Sequence, residues 1–374
     1  MFKMFSSRLS WDLAPNPLSK LMEEKRGAGG RVLDLTESNP TRAGLIYPEE
    51  EILGALDDSR ALRYDPAPRG LESAREAVVR YYEERNRRIL PSQVLLTAST
   101  SEAYAYLFKL LADPGDEVLT PRPSYPLFEF LAALEAVTVR QYPLRYDGSW
   151  HLDFAALERS IQENTRALVI VNPNNPTGSS VSREDFERLE SFGIPILSDE
   201  VFSDYAGGRS VHPRRALTFS MNGLSKIAGL PQMKLGWIVA DGPGHEAALD
   251  RLELIADTFL SVATPVQIAL PKLLPATASV RAQIRDRTDS NFARLTVACS
   301  GSAFQVLHRE CGWYAILQVP RVRTEEEWVL MLLGERDVLV QPGFFFDFES
   351  EAFLVVSLLT EPRVFEEGLH RIIQ

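Results

Sequence analysis

Three short runs in this chain carry residue types that together can do carbonyl chemistry. Lys226 closes the run Met221-Asn-Gly-Leu-Ser-Lys226, downstream of Asn172-Pro-Asn-Asn-Pro-Thr-Gly178 and of Ser198-Asp199-Glu200. A lysine amine condenses with an aldehyde to a Schiff base, a buried carboxylate keeps a pyridine nitrogen protonated, and an asparagine amide hydrogen-bonds a phenolic oxygen. That set describes a site for pyridoxal 5′-phosphate (PLP), with Lys226 and Asp199 as the candidate catalytic residues.

The spacing around each residue adds to the reading. Two prolines and three asparagines between Asn172 and Gly178 fix a rigid backbone with exposed amides, because the prolines cannot extend a strand. Asn175 is the candidate for the phenolic oxygen. Asp199 follows the apolar run Ile194-Pro-Ile-Leu197, which puts a carboxylate at the C-terminal end of a strand, where open sheets bind ligands. Most lysines are solvated surface charges, but Lys226 falls just beyond one predicted strand and ahead of another at Leu235 to Ala240. An amine desolvated there attacks an aldehyde more readily, and once displaced by a substrate amine it can shuttle the proton at the substrate α-carbon. A dianionic phosphate needs donors as well. The run Leu96-Thr-Ala-Ser-Thr-Ser-Glu-Ala103 follows a strand and opens a helix, so Ser99, Thr100 and Ser101 can converge on an anion at the helix N-terminus. Alone, such a cluster reads as an ordinary N-cap. Tyr125, in Pro121-Arg-Pro-Ser-Tyr-Pro126, lies in a loop past a strand end, where an aromatic can stack on a pyridine ring.

A mostly parallel sheet must position these residues. Apolar runs at residues 94–96, 117–119, 137–139, 167–171, 194–197, 217–219 and 236–239 alternate with amphipathic stretches at 101–112, 125–135, 153–163 and 182–191. Strands alternating with helices predict an α/β fold with helices on both faces of the sheet. Beyond residue 263 the texture changes to a long helical region reaching about residue 298. Strand-like segments follow at 313–317, 338–340 and 353–356, with helices at 325–334 and from Pro362. The division expected is an N-terminal segment, 1–45, packing with a small α+β domain at 263–374, and a large PLP-binding domain at 46–262.

Bulk properties exclude several classes. The 374 residues are 45% hydrophobic and 24% charged, ordinary for a globular protein, and the formal charge of -11 repels nucleic acid and anionic lipid. Cys299 and Cys311 make neither a disulfide framework nor a metal-ligand cluster, and the five histidines are scattered, so no metal site is expected. No signal-peptide pattern or bilayer-length apolar run is present, which predicts a cytoplasmic protein.

From about Asp34 to the C-terminus, these motifs in this order resemble the fold type I PLP enzymes, specifically the class I/II aminotransferases related to aspartate aminotransferase. The resemblance assigns the Schiff base to Lys226, the pyridine nitrogen to Asp199, the phenolic oxygen to Asn175 and the stacking aromatic to Tyr125. It gives phosphate contacts to Thr100, Ser101 and Ser225, and it makes Tyr64, in Arg63-Tyr-Asp-Pro-Ala-Pro-Arg-Gly70, a tyrosine offered to a partner subunit's cofactor. A homodimer with shared active sites is thereby implied. Four positions depart from the family pattern. Phe202 replaces a tyrosine that donates to the phenolic oxygen, a role Tyr205 can fill only by reaching in. Lys234 replaces a phosphate-binding arginine, and Gly223 replaces a serine. Val355, in Phe353-Leu-Val-Val-Ser357, stands where an arginine clamps the substrate α-carboxylate. Either another arginine takes over, Arg42 and Arg69 being the first to test, or the substrate lacks a carboxylate there.

The leading functional reading is aminotransfer between a small-molecule amino donor and a carbonyl or 2-oxo acid acceptor, by ping-pong chemistry through Lys226. A PLP lyase or cyclase of the same fold uses the same lysine and aspartate and is the alternative. A binding protein that has lost turnover accounts for the altered contacts but has no chemical use for Lys226, Asp199 and Asn175 together.

Overall fold

The computed structural model describes residues 4–206 and 215–374. An eight-stranded sheet is built from β1 (Val94–Thr97), β2 (Glu117–Arg122), β3 (Thr138–Tyr146), β4 (Trp150–Leu152), β5 (Thr165–Val171), β6 (Ile196–Asp199), β7 (Thr218–Gly223) and β8 (Gly236–Asp241). Its spatial order is β1-β8-β7-β6-β5-β2-β3-β4. The run from β7 to β3 is parallel throughout. Strand β8 lies antiparallel to both β7 and β1, and β4 folds back antiparallel on β3. All seven expected strands are present. The eighth, β4, is three residues long, too short for a periodic signal.

Side chains alternate between the two faces, as the pleat requires. Leu95, Val169, Leu197 and Phe219 pack with the helices Thr100–Leu111 and His245–Phe259. Leu168, Ile170 and Ile196 point the other way, against Phe154–Ser160 and Arg183–Glu190. With both faces covered, these strands read as continuous apolar runs.

A second sheet, β9 (Gln305–Val306), β10 (Tyr314–Gln318), β11 (Gln341–Pro342) and β12 (Phe353–Ser357), is antiparallel in the order β9-β10-β12-β11. Leu317, Leu354 and Val356 pack under the helices Glu325–Arg336 and Pro362–Ile373, together with Leu33 and Leu35 from the N-terminal segment. That segment also pairs in parallel with the chain at residues 338 and 339, through Leu33 and Asp34. Its first residues go elsewhere: Arg8 donates to the Leu134 carbonyl, and Trp11 meets Phe130 edge-on at 4.9 Å.

The long helical region is two helices, Thr264–Ala276 and Ala278–Cys299. Val266, Leu270 and Leu273 of the first share a cluster with Ile52, Val78, Leu96 and Trp237. The core of the large sheet therefore continues to Leu274, past residue 262, because this helix buries its apolar face on the β1–β8 edge. The second helix places Leu295 and Cys299 in the small core.

The parallel strands β2, β5, β6 and β7 end at Arg122, Val171, Asp199 and Gly223. All four deliver their following loops to one edge of the sheet, the usual location of ligands in open α/β sheets.

Candidate active site

A cavity of about 230 Å³ opens at that edge. Of the expected residues, Ser99, Thr100, Tyr125, Asn175, Asp199, Ser225 and Lys226 line it, and so do Gly223 and Phe202. Four loops and one helix N-terminus thus bring together side chains up to 127 positions apart, from Ser99 to Lys226. A larger recess of about 370 Å³, lined by Tyr81, Arg85, Glu200 and Asp204 among others, contains none of them.

Asp199 is held on both carboxylate oxygens. The Tyr104 hydroxyl donates to Oδ2 at 3.1 Å and the Val201 N–H to Oδ1 at 3.2 Å. Burial pushes its carboxyl up to about 6, against the lowering effect of those two donors. Tyr104 lies one turn into the helix that Thr100 begins and meets Phe128 edge-on at 5.4 Å; Phe128 in turn meets Tyr125 at 6.0 Å. Burial raises the Tyr125 hydroxyl to about 12, with the Asp199 charge adding to it.

Lys226 sits in the short helix Leu224–Ile227, straight after β7. Its Nζ is 4.9 Å from the Trp313 ring centroid and 5.9 Å from that of Phe202, so the faces of two aromatic rings take the place of water around the ammonium. Enclosure by protein pulls the amine down to about 8, while the Asp199 charge works in the opposite direction.

The asparagine-rich loop sorts its own amides. Asn172 Oδ1 accepts from the Val181 N–H at 3.0 Å, and Asn174 Oδ1 accepts from the Thr177 hydroxyl at 2.9 Å. Asn175 lines the cavity with its Oδ1 buried and without a partner. A buried amide group left in that state is costly, and a half-turn of the amide presents its N–H₂ at the same place.

At the helix N-terminus, the Ser99 hydroxyl accepts from the Glu102 N–H at 3.2 Å, so Ser99 is the N-cap. The N–H groups of Thr100 and Ser101 precede the first intrahelical bonds and are the unsatisfied donors of the first turn. Gly223 has a packing reason. A Cβ there would lie 2.8 Å from Gly236 Cα and 2.9 Å from the Leu235 carbonyl oxygen, because β7 and β8 close on each other at this pair.

Several expected residues lie off the cavity. Ser101 is in the first helical turn but is not part of the wall, and Lys234 is exposed in the left-handed conformation, at φ 48°. Tyr64 is 75% exposed on a loop beside Leu62, which is 89% exposed. Tyr205 does not reach in, because its hydroxyl donates to the Lys226 backbone carbonyl at 2.7 Å. Arg69 is committed to Glu253 and Asp250 at 2.6 and 2.9 Å, and Arg42 is exposed and apart from the cavity. Sequence reasoning missed Tyr104, Trp313, Tyr314 and Ser38. Tyr104 was within reach, being four residues beyond Thr100 on the same helix face; the other three come from distant chain with no local signal. Among the described residues, no group of three or more His, Cys, Asp or Glu side chains is placed to hold a metal ion.

Comparison with known proteins gives one answer. The family model described as aminotransferase class I and II matches residues 31–372. The chain is 28% identical to tyrosine aminotransferase of Mus musculus, with 92% of this chain and 81% of that one covered. It is 26% identical to glutamate-pyruvate aminotransferase AlaA of Haemophilus influenzae, with 88% and 87% covered. A solved alanine aminotransferase from Pyrococcus furiosus superposes with a TM-score of 0.86 over 98% of both chains, at 24% identity. None of these likenesses is to a lyase or cyclase.

Proposed function

We propose that this chain, which belongs to the class I and II aminotransferases and is a transaminase, holds PLP in the 230 Å³ cavity, with Lys226 as its covalent anchor and proton carrier. The observation that carries the reading is the convergence of Lys226, Asp199 and Asn175 on one wall. The chemistry of these groups fits the cofactor. The unpartnered Asn175 amide answers to the phenolic oxygen, and the oriented Asp199 carboxylate answers to the ring nitrogen. Tyr125 answers to the ring face, and the Thr100 and Ser101 N–H groups with the Ser225 hydroxyl answer to the phosphate. Lys234, expected from the sequence as a phosphate contact, lies outside the cavity wall and is given no part in this reading. When bound, PLP supplies an aldehyde to take the amino group and a protonated ring to accept the electron pair released at the donor carbon.

The protein's own groups do the rest. At about pH 8 the Lys226 amine is half deprotonated, so it serves as a base near neutrality where an exposed lysine does not. Tyr104 and the Val201 N–H keep Asp199 from rotating away from the ring nitrogen. Trp313 and Phe202 shield Nζ on two sides, which favours the proton that Lys226 takes from the donor carbon staying on it until it is returned.

A homodimer with shared sites accounts for Tyr64 and Leu62, whose exposure needs a covering surface. A cytoplasmic setting fits Cys299 and Cys311, which form no disulfide. No helix among the described residues is long and apolar enough to cross a membrane.

The test is to saturate the purified protein with PLP, reduce it with borohydride and map the adduct by peptide mass. A single stable adduct at Lys226 is expected. An unmodified Lys226, or an adduct spread over surface lysines, would sink the proposal.

A further inference from the structure

Resting on the cofactor reading above, we infer that the substrates of this enzyme carry no carboxylate on the carbon bearing the reacting nitrogen: it takes primary amines and the corresponding aldehydes or ketones.

The argument starts from where Val355 lies. In the small sheet, Tyr314 pairs with Ser357 and Ile316 pairs with Val355, so these four form two successive rows on one sheet face. Tyr314 lines the cavity. Ser357 Oγ donates to the Glu37 carbonyl at 2.6 Å, next to Ser38, which also lines the cavity. The Val355–Ile316 row is therefore the next layer behind the rim. Val355 is 0% exposed and packs with Leu307, Ile316 and Phe346. A carboxylate directed at that row meets methyl groups and an aromatic ring.

Among the described residues, no arginine lines the cavity. Arg69 is spent on two carboxylates of the helix His245–Phe259, and Arg42 is exposed away from the site. Among the described residues, the charged side chains that line the cavity are Asp199 and Lys226, both assigned to the cofactor in the reading above. Burial raises the Tyr314 hydroxyl, and the charge of Glu37, next in sequence to Ser38 on the cavity wall, adds to it. An unpaired anion in a water-poor recess is penalised, and a neighbouring negative charge adds to the penalty. An ammonium-bearing donor without a carboxylate meets neither obstacle.

In the donor half-reaction, R–CH₂–NH₃⁺ gives up a hydrogen of that carbon as a proton to the Lys226 amine. The carbon, oxidised by two electrons, takes oxygen from water and leaves as R–CHO. When bound, the cofactor would supply the two-electron oxidant: its aldehyde oxygen would leave as water, it would keep the donor nitrogen, and Lys226 would hand the abstracted proton back to it.

The experiment compares phenylalanine with 2-phenylethylamine, which differ only in the carboxylate, in single-turnover absorbance of the PLP-loaded protein. We expect kcat/KM to favour the amine by about tenfold or more; a ratio of one or below overturns the inference. A binding readout stands beside it. Titrating the same protein with 3-phenylpropionamide and 3-phenylpropionate, followed by tryptophan fluorescence, should show the amide binding more tightly, and tighter binding of the carboxylate overturns the inference even if neither donor turns over. Val355→Arg should bring the carboxylate's Kd down about tenfold. If that variant fails to fold, the two wild-type comparisons still decide. An intact borohydride adduct at Lys226 with a reversed donor preference would defeat this inference alone, whereas absence of the adduct would defeat the cofactor reading.

Discussion

The two walls of the cavity are built by opposite means. The wall from the large sheet is polar and constrained: Asp199 has a donor on each oxygen, Lys226 lies between aromatic faces, and Asn175 turns its unpartnered Oδ1 to the site. The wall from the small sheet is apolar, with Val355, Ile316 and Phe346 behind Tyr314. Hydrogen bonds and charge fix a cofactor to within a fraction of an ångström, whereas an apolar wall selects by size and by the absence of charge. On the proposed reading, reaction class and substrate range reside in separate elements, and each should change without the other.

Lys226→Ala is the strongest way to break the comparison, because the polar wall loses the amine proposed as anchor and proton carrier. We expect at least about a 10⁴-fold fall in half-reaction rate and no borohydride-fixable adduct, measured by single-turnover absorbance and peptide mass. The next effect concerns the apo protein. Asp199 is raised from 3.8 to about 6 by burial, so its contribution to stability is present in full below pH 3.8 and is lost as pH rises through about 6. Relative to Asp199→Asn, wild-type apo protein should lose up to about 3 kcal/mol across that window, read from denaturant unfolding at pH 4, 5, 6 and 7. A difference that stays flat with pH would mean that burial does not hold the Asp199 carboxyl above its ordinary range. Gly223→Ser, which restores the residue the family pattern favours, should destabilise by about 2 kcal/mol. Its Cβ meets backbone atoms of Gly236 and Leu235 at 2.8 and 2.9 Å, and backbone cannot swing aside as a side chain can. Thermal unfolding checks it, and a neutral result would mean that β7 and β8 can part at this pair.

The polar wall was legible in the sequence because its residues lie in short runs at strand ends. Asn175, Asp199 and Lys226 each sit within a few positions of the C-terminus of a parallel strand, and the order of strands alone gathers them at one edge. Most of the large sheet was legible for the same reason, with β4 the exception. The apolar wall was legible only as an absence, an arginine missing at Val355. Its actual composition depends on the pairing of β10 with β12 and on the anchoring of Ser357 to residue 37, contacts separated by 43 and 320 positions. Trp313 over Lys226 is of the same kind. Glycine at 223 reads as a lost hydroxyl in the sequence and becomes a steric requirement only once Gly236 is seen across from it. Tyr205 likewise looked able to reach the cofactor, and its hydroxyl instead serves the Lys226 backbone carbonyl.

The smallest effect gives the sharpest comparison. Tyr104→Phe removes one hydroxyl, 3.1 Å from Asp199 Oδ2, from a ring that is otherwise buried. The carboxylate keeps the Val201 N–H on its other oxygen, so the loss should be about 1 kcal/mol, the ordinary net worth of one intramolecular hydrogen bond. PLP should bind about fivefold more weakly, measured by cofactor titration, and the Asp199 carboxyl should rise above its present value of about 6, because a donor that stabilised its anion is gone. Tyr104 packs in the core of the large sheet, in a different cluster from Val355, Ile316 and Phe346. The ratio of kcat/KM for 2-phenylethylamine over phenylalanine should therefore stay as in the wild type while both values fall together. A changed ratio would mean that the two walls are coupled through the cofactor's tilt, and the separation of reaction class from substrate range would fail at that point.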